Sequence, residues 1–500
     1  MEATIATMEE PPLWSAVFTY VNFITLYIFG ILRDIIHRFM RSALRKSSKN
    51  IYSQIDFVPL FQSFESFYTR NIYSRVRDCF SRPVCSSPGV VMKIKHQIHT
   101  DCNSSALKLN DPVKEVINFG SYNYLGFAKN SGKCVSDSID CIKRFGIAQC
   151  SANREYGYTS LHARTERKVA NFIGSEDAIV FGMGFATNST SIPTLVGKGC
   201  LILSDELNHS SIVLGCKLSG AVIKVFRHND LLDLERKLKE YIISGNPRTL
   251  RPWKKILIIV EGIYSMEGTI SPLPQLIALK NKYHAYLFVD EAHSIGAIGK
   301  HGKGIVDYFS CNPRDVDILM GTFTKSFNSC GGYIAGNKDL ISHLRKYSHA
   351  QFYASSMSPP IMQQIIGVID HIEASSKDSA ASDDTRVAKL AWNTKYLRTY
   401  LKSLNYIVYG DDNSPVIPVM LFATSKIGAF NREMLKRNIA VVTVGFPATS
   451  LTLARVRFCV SAGHTKEMLD KLIQACAEVG DLLNLRVSKR TKAFAKSKSD

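Results

Sequence analysis

Four short apolar runs in this sequence end on residues able to do chemistry. Tyr286–Val289 is followed by Asp290-Glu291-Ala292-His293, and Leu201–Ser204 by Asp205-Glu206-Leu207-Asn208-His209-Ser210. Ile318–Met320 leads into Gly321-Thr322-Phe323-Thr324-Lys325-Ser326 and then Gly331-Gly332. Ala178–Phe181 leads into Gly182-Met183-Gly184-Phe185-Ala186-Thr187-Asn188. Singly, each has an ordinary explanation: a helix cap for Asp290, a satisfied core histidine for His209, a solvated Lys325, a common Gly-rich turn. Together they form a set. A Gly-rich turn feeding a helix N-terminus offers backbone N–H groups to a phosphate. Thr322 and Thr324 place hydroxyls beside one lysine. A carboxylate leaving a buried strand needs a cationic partner, and Asp290 can find one in a protonated pyridine nitrogen. A Schiff-base lysine, an acid for the ring nitrogen and a phosphate cup are what pyridoxal 5'-phosphate requires. Lys325 must then be desolvated or electrostatically tuned, so that its amine is available.

These residues converge only if the runs are neighbouring strands, because open α/β sheets bind ligands at the carboxyl ends of their strands. Ala178–Phe181, Leu201–Ser204, Val222–Phe226, Ile256–Val260, Tyr286–Val289 and Ile318–Met320 are short, apolar and without clean alternation. Such runs suit a mostly parallel sheet covered on both faces. Helical periods lie between them, as in Leu231–Ile242 and Leu273–Lys282, which is the rhythm of a doubly wound α/β domain. Pro359-Pro360 opens a long helix, and 375–385 reads as an exposed polar loop between helices. The expected organisation is a membrane-anchoring segment over 1–50 and an N-terminal segment over 51–130. A cofactor-binding large domain follows over 131–360, a connecting helix and small C-terminal α/β domain over 361–485, and a basic disordered tail over 486–500.

The chain has 500 residues, 45% hydrophobic and 21% charged, which excludes wholesale disorder and fits two to four domains. Its formal net charge of +19 points to acidic partners. No zinc-finger or RNP-type motif accompanies it, so nucleic acid is not expected. The basic residues are scattered, with clusters at 33–49 and 486–498. Twelve cysteines without a C-x-x-C pair fit reduced thiols, and no metal centre is expected. Leu13 to Leu32 carries no charge. A helix of that length matches the bilayer core, about 30 Å. Ser15, Thr19, Asn22 and Thr25 interrupt it, so spanning and lying in the interface both remain open. Acidic residues precede it and basic ones follow, which places the bulk of the chain on the cytosolic side. Neither a cleaved signal nor a mitochondrial presequence is expected.

Around these residues the chain resembles the α-oxoamine synthases, a family of fold-type-I pyridoxal phosphate enzymes. Within it the closer likeness is to the catalytic, long-chain-base 2 type of subunit of eukaryotic serine palmitoyltransferases. The matching runs are YTRNIY (68–73), FGSYNYLGF (119–127), FGMGFATN (181–188), LSDELNH (203–209), VEGIYSMEG (260–268) and DEAHSIG (290–296). They continue with GTFTKSF (321–327), SMSPP (356–360) and ARVRFCVSAGH (454–464). The resemblance covers roughly 50–480. It implies that Lys325 forms the Schiff base, Asp290 bonds the pyridine nitrogen, His209 stacks on the ring and His293 contacts the ring hydroxyl. It further implies that Thr322, Thr324 and the backbone at Gly184 and Phe185 hold the phosphate. Ser356 would be the hydroxyl lent to the neighbouring subunit, and Arg457 the fork that grips the amino-acid carboxylate.

The implied activity is a decarboxylating condensation of L-serine with palmitoyl-CoA, giving 3-ketosphinganine, CoA and CO₂, the first step of sphingolipid synthesis. The implied setting is the endoplasmic reticulum membrane with the catalytic domains facing the cytosol. The implied partner is a lysine-lacking paralogous subunit in a heterodimer, with small membrane regulators as further candidates. Rival readings are an α-oxoamine synthase using glycine or alanine with another acyl-CoA, a non-catalytic scaffold subunit, and a basic lipid-binding protein. Lys325 and Asp290 argue against the scaffold. Two departures from the family pattern stand out. Ser151-Ala152-Asn153-Arg154 replaces a Ser-Thr-Arg run, and Asn328 stands where glycine is usual. Asn tolerates a left-handed backbone better than most residues, so a positive φ is expected at 328. His162 matches a family histidine whose role stays open.

Overall fold

A computed structural model describes residues 9, 12–43, 63–99, 107–378 and 385–488. The chain enters through a helix α1 (Leu13–Ala43) and a short helix α2 (Ser63–Asn71). An antiparallel pair follows, β1 (Val91–His99) and β2 (Leu107–Asn118). The central sheet is built from β3 (Asp177–Phe181), β4 (Leu201–Asp205), β5 (Val222–Phe226), β6 (Ile256–Glu261), β7 (Tyr286–Asp290), β8 (Ile318–Thr322) and β9 (Gly332–Gly336). Its order is β3-β9-β8-β7-β6-β4-β5. The run from β8 to β5 is parallel, and β9 is antiparallel to both of its neighbours.

Each expected strand is present, and five of the six run one or two residues beyond the apolar stretch. The extensions carry chemistry: Asp205, Glu261, Asp290 and Thr322 all close a strand. The absence of alternation has a direct cause. Ile258 and Val260 of β6 point into the core cluster on one face of the sheet, while Leu257 and Ile259 point into the cluster on the other. Both faces are dry, so both must be apolar. The strand β9 is the one the sequence did not announce. Gly331 has φ +89°, and Gly332 and Gly336 end the strand, so the segment reads as a turn. A Cβ at Gly332 would lie 2.6 Å from Thr187 Oγ1 and 2.7 Å from the Gly321 carbonyl, which explains the glycine.

Between strands lie α3 (Lys133–Phe145), α4 (Ser160–Ile173), α5 (Gly184–Leu195), α6 (Ser210–Ser219), α7 (Leu231–Ser244) and α8 (Leu273–Lys282). The C-terminal part contains β10 (Val416–Phe422), β11 (Ile439–Ala440), β12 (Val442–Val444) and β13 (Ala454–Cys459). These strands divide. β10, β13 and β12 form one antiparallel sheet, while β11 adds parallel to β2. The strands before residue 119 therefore share a sheet with the C-terminal part of the chain.

Two expectations need correction. Helix Pro359–Asp378 continues through Ser375, so the first four residues of the polar stretch are helical rather than loop; 379–384 lie outside the described residues. Helical i,i−4 bonding accounts for the start of that difference: Ser375 Oγ donates to the His371 carbonyl at 2.8 Å. The first residues of the expected disordered tail are placed. Arg486 bonds the Leu404 carbonyl at 2.9 Å, and Ser488 is buried and donates to Glu9 Oε2 at 2.9 Å. The rest of the tail lies outside the described residues.

Along α1, Leu13–Ile36 is long and apolar enough to cross a membrane, with mean hydropathy 1.7. Two of the hydroxyls that interrupt the run are satisfied inside the helix. Thr19 Oγ1 donates to the Ser15 carbonyl at 2.7 Å and Thr25 Oγ1 to the Val21 carbonyl at 2.8 Å. Ser15 and Thr19 turn inward, whereas Val17, Phe18, Val21, Ile24, Ile28 and Phe29 are exposed. That unpartnered apolar face fits membrane association.

Candidate active site

The strand ends of β4, β6, β7 and β8 meet at one place. Asp290 closes β7 almost fully buried. Its Oδ2 accepts from Asn188 Nδ2 at 2.7 Å and its Oδ1 from the Ala292 N–H at 2.9 Å. Asn188 lies on α5, about one turn from that helix's start, so the Gly-rich turn and the acid are tied through one amide. Lys325 follows β8 and is half-buried. Its Nζ lies 5.5 Å from the centre of the Tyr122 ring. Burial pulls its amine down to about 8, against the opposing charge of Asp290. An amine so placed is partly unprotonated at neutral pH, as imine exchange requires.

Arg457 comes from β13. Its guanidinium carbon lies 4.7 Å from the same Tyr122 ring, and Nη1 donates to the Ser265 carbonyl at 3.2 Å. Its Nε is buried with no hydrogen-bond partner. The neighbouring Arg455 bonds the Met266 carbonyl at 2.8 Å and Glu267 Oε1 at 3.1 Å. The two arginines thus bind the C-terminal sheet to the loop after β6, and the loop presents Arg457 to the site.

His293 is buried beside Tyr122, with ring centres 5.1 Å apart, and its Nδ1 meets Tyr124 Oη at 2.8 Å. Burial, then the charges of Lys325 and Arg457, hold its imidazole well below the ordinary range, so it is neutral. His209 caps α6, and Phe185 meets it edge-on at 6.1 Å. Burial lowers its affinity for a proton, and Asp290 opposes this.

The phosphate cup is recognisable from what it excludes. A Cβ on Gly184 would lie 2.6 Å from Thr322 Oγ1 and 3.3 Å from the Gly331 carbonyl, so only glycine leaves that space open. Thr322 Oγ1 lies 2.9 Å from Thr324 Oγ1 and donates to the Gly331 carbonyl at 2.9 Å. No side chain caps the start of α5. Its first-turn N–H groups therefore face the cup, where an anion satisfies them. Donors here, a buried acid opposite and a desolvated lysine between fit pyridoxal phosphate.

Ser356 is the one expected residue not joined to this cluster: among the described residues no hydrogen bond links them. Its N–H donates to the Ser151 carbonyl at 3.2 Å, while Ser355 bridges Ala152. Asn153 donates to Gln351 Oε1 at 3.0 Å, and Arg154 lies over Phe352 rather than in the site. His162 has a structural task. Its Nδ1 accepts from the Thr159 N–H at 3.1 Å, closing a capping box at the start of α4. Asn328 has φ +46°, as expected, and its amide donates to the Phe127 carbonyl at 3.3 Å.

Sequence reasoning missed Tyr122, Tyr124, Asn188 and Glu261. The rule that singled out Asp290, a carboxylate ending a buried strand, applies equally to Glu261 and would have found it. Tyr122 and Tyr124 lie in the recognised run 119–127, but nothing in the sequence places that run beneath Lys325.

Comparison with known proteins agrees with this geometry. A family model for aminotransferase class I and II matches residues 114–476. Human serine palmitoyltransferase 3 is 50% identical over 98% of this chain and 88% of its own length. Serine palmitoyltransferase 2 of Caenorhabditis elegans is 50% identical over 96% of this chain and 85% of its own. Long chain base biosynthesis protein 2a of Arabidopsis thaliana is 45% identical over 98% of each. Among solved structures, Sphingomonas wittichii serine palmitoyltransferase superposes with TM-score 0.73 at 26% identity, covering 85% of this chain and 99% of that one. A high-resolution structure of SPT with PLP superposes with TM-score 0.73 at 25% identity, covering 85% and 98%.

Fold and site together define a fold-type-I pyridoxal phosphate transferase, and the chain belongs to the aminotransferase class I and II family. Within that class it belongs to the serine palmitoyltransferases, the pyridoxal phosphate-dependent acyltransferases of sphingolipid synthesis.

Proposed function

We propose that the Lys325 cluster is the catalytic centre for condensing L-serine with palmitoyl-CoA to 3-ketosphinganine, CoA and CO₂. The observation that carries the reading is a desolvated amine, Lys325, and a guanidinium, Arg457, set over one face-forming ring, Tyr122, with Asp290 buried opposite. Bound in the cup, pyridoxal phosphate supplies an electron sink for negative charge at the substrate Cα. The chain's own residues do the rest. Thr322, Thr324 and the α5 N-terminus hold the phosphate, and Asp290 keeps the ring nitrogen protonated. Arg457 takes the serine carboxylate, which gives its unpartnered Nε and its fork an acceptor. The Lys325 amine would be the base that receives the substrate Cα proton at Nζ. His209 would stack on the ring, and His293, neutral, would contact the ring hydroxyl. Asp290, His293, Thr322 and Arg457 are buried, which strengthens their interactions with the charges of a bound substrate.

The working unit is proposed to be a heterodimer with a lysine-lacking paralogous subunit, to which Ser356 contributes its hydroxyl. Support comes from the surface around Ser356, where Tyr156 is 91% and Tyr353 83% exposed beside Phe352. Small membrane regulatory subunits are the other proposed partners. The apolar α1 supports anchoring in the endoplasmic reticulum membrane, with the catalytic domains on the cytosolic side. The proposed organisation keeps the anchor at 1–50, the N-terminal segment at 51–130, the large domain at 131–360 and the small domain at 361–485, ahead of a basic tail over 486–500. Strands β1 and β2 work with the small domain, since they share its β11.

The test is to purify the chain from detergent with its partner and follow visible absorption while serine, glycine and alanine are added in turn. A saturable shift with serine, abolished in Lys325→Ala, supports the reading. A shift with glycine or alanine instead makes the chain a different α-oxoamine synthase. A wild type without bound chromophore is a scaffold.

A further inference from the structure

Glu261 closes β6 directly beside Asp290 of β7, the two being register partners on adjacent parallel strands. It is 4% exposed, and nothing in the mechanism above uses it. Its Oε1 accepts the His209 N–H at 2.5 Å. From there a chain of hydrogen bonds returns to Asp290. The Ser211 N–H donates to His209 Nδ1 at 3.2 Å, and Ser211 Oγ lies 2.8 Å from the same nitrogen. Asn188 Nδ2 donates to Ser211 Oγ at 3.0 Å and to Asp290 Oδ2 at 2.7 Å. Because a backbone N–H can only donate, Nδ1 must carry a lone pair, and the ring proton of neutral His209 sits on Nε2. Glu261, His209, Ser211, Asn188 and Asp290 thus form one closed ring of contacts.

We propose that Glu261 is a positioning residue that acts as a neutral carboxyl: it anchors the His209 backbone through Oε1 and leaves Asp290 as the charged acid of the pair. The inference rests on the assignment of Lys325 and Asp290 made above. Two buried carboxylates on adjacent strands cannot both ionise cheaply, and the donors are shared unevenly: Asp290 accepts two hydrogen bonds and Glu261 one. The groups facing Glu261 are Asp290 on β7, Lys325 after β8, His209 at the start of α6 and Asp205 at the end of β4. Burial first, then Asp290, drives the Glu261 carboxyl well above its ordinary range, and Lys325 opposes them. Tyr264 Oη accepts the Glu261 N–H at 3.2 Å, so the backbone of the strand end is fixed as well.

The experiment compares wild type, Glu261→Gln, Glu261→Ala and Lys325→Ala, each in complex with the partner subunit. The infrared difference between wild type and Glu261→Gln at neutral pH is expected to contain the C=O stretch of a protonated carboxyl. Only carboxylate stretches in that difference would overturn the proposal. In turnover, Glu261→Gln is expected to restore the wild-type kcat and cofactor spectrum, since it keeps the acceptor and the zero charge. Glu261→Ala is expected to lose about tenfold to a hundredfold in kcat with KM for serine little changed, the cost of a displaced His209. A Gln variant as damaged as the Ala variant, or an Ala variant as active as wild type, overturns the proposal. The infrared and Gln results stand even where the Ala variant does not fold. Failure of the wider active-site reading looks different: borohydride would then fix the same amount of cofactor to wild type and to Lys325→Ala.

Discussion

At the scale of single residues, the site depends on charge taken out of water. Arg457 meets the Tyr122 ring and the Ser265 carbonyl, so its fork is available to an incoming carboxylate. Arg457→Lys replaces that fork with a point charge. It is expected to raise KM for serine by about 10- to 150-fold, the worth of a charged hydrogen bond at roughly 1.5–3 kcal/mol, with cofactor absorbance unchanged; steady-state kinetics and a spectrum check this. A second residue reports on folding. His464 stacks on Phe119 at 4.2 Å, accepts the Ser461 N–H at Nδ1 and donates Nε2–H to the Asn118 carbonyl at 3.0 Å. Burial pulls its imidazole down to about 4. The folded state therefore refuses a proton that the unfolded chain accepts below its ordinary value near 6.5. Stability from this residue is fully present above that value and is lost as pH falls toward 4, by up to roughly 3 kcal/mol. Thermal midpoints measured across that window should fall less steeply in His464→Gln than in wild type.

At the scale of elements, glycine and asparagine decide how strand ends turn into loops. The Gly184 position at the start of α5 leaves no room for a methyl beside Thr322. Gly184→Ala should push the Thr322 hydroxyl out of the cup and weaken pyridoxal phosphate binding about 10- to 150-fold, measured by titrating the apoprotein. Asn328 adopts a left-handed backbone just after the lysine loop. Asn328→Gly should be nearly neutral in thermal midpoint, while Asn328→Val should cost about 1–2 kcal/mol, the penalty of that backbone for a residue with a Cβ. The strand ends were legible because buried strands are short, apolar and terminated by polar residues. β9 was not, because its glycines are demanded by close approach to Thr187 and Gly321, a tertiary contact that leaves no periodic trace.

At the scale of the whole molecule, an exposed apolar helix is attached to an α/β body. Phe23 meets Phe446 at 6.0 Å and Tyr27 meets Phe67 at 4.9 Å, so α1 rests on the body along part of its length and exposes the remainder. Val21 and Ile24 lie on the exposed side. Val21→Asp combined with Ile24→Asp should cost about 2.5–3.5 kcal/mol each in a bilayer. Fractionation after an alkaline carbonate wash should find the wild type in the membrane pellet and the double variant in the supernatant, with the α/β body still folded by circular dichroism.

The sequence by itself determined the class of fold, the lysine, the acid and the phosphate-binding turn. Those features are local: a run of buried residues, a terminating carboxylate, a hydroxyl pair beside a lysine, and glycines before a helix. Only the tertiary structure decided which face each group meets. It put Tyr122, from a segment two hundred residues upstream, beneath Lys325, and Arg457, from the far C-terminal sheet, over the same ring. It tied β1 and β2 to β11 rather than to the segment that follows them. It also distinguished Asp290 from Glu261, two strand-end carboxylates of the same appearance in sequence. The physical reason is that a buried site is set by neighbours in space: Asp290 accepts two hydrogen bonds, whereas Glu261 accepts one and burial pushes its carboxyl well above the ordinary range.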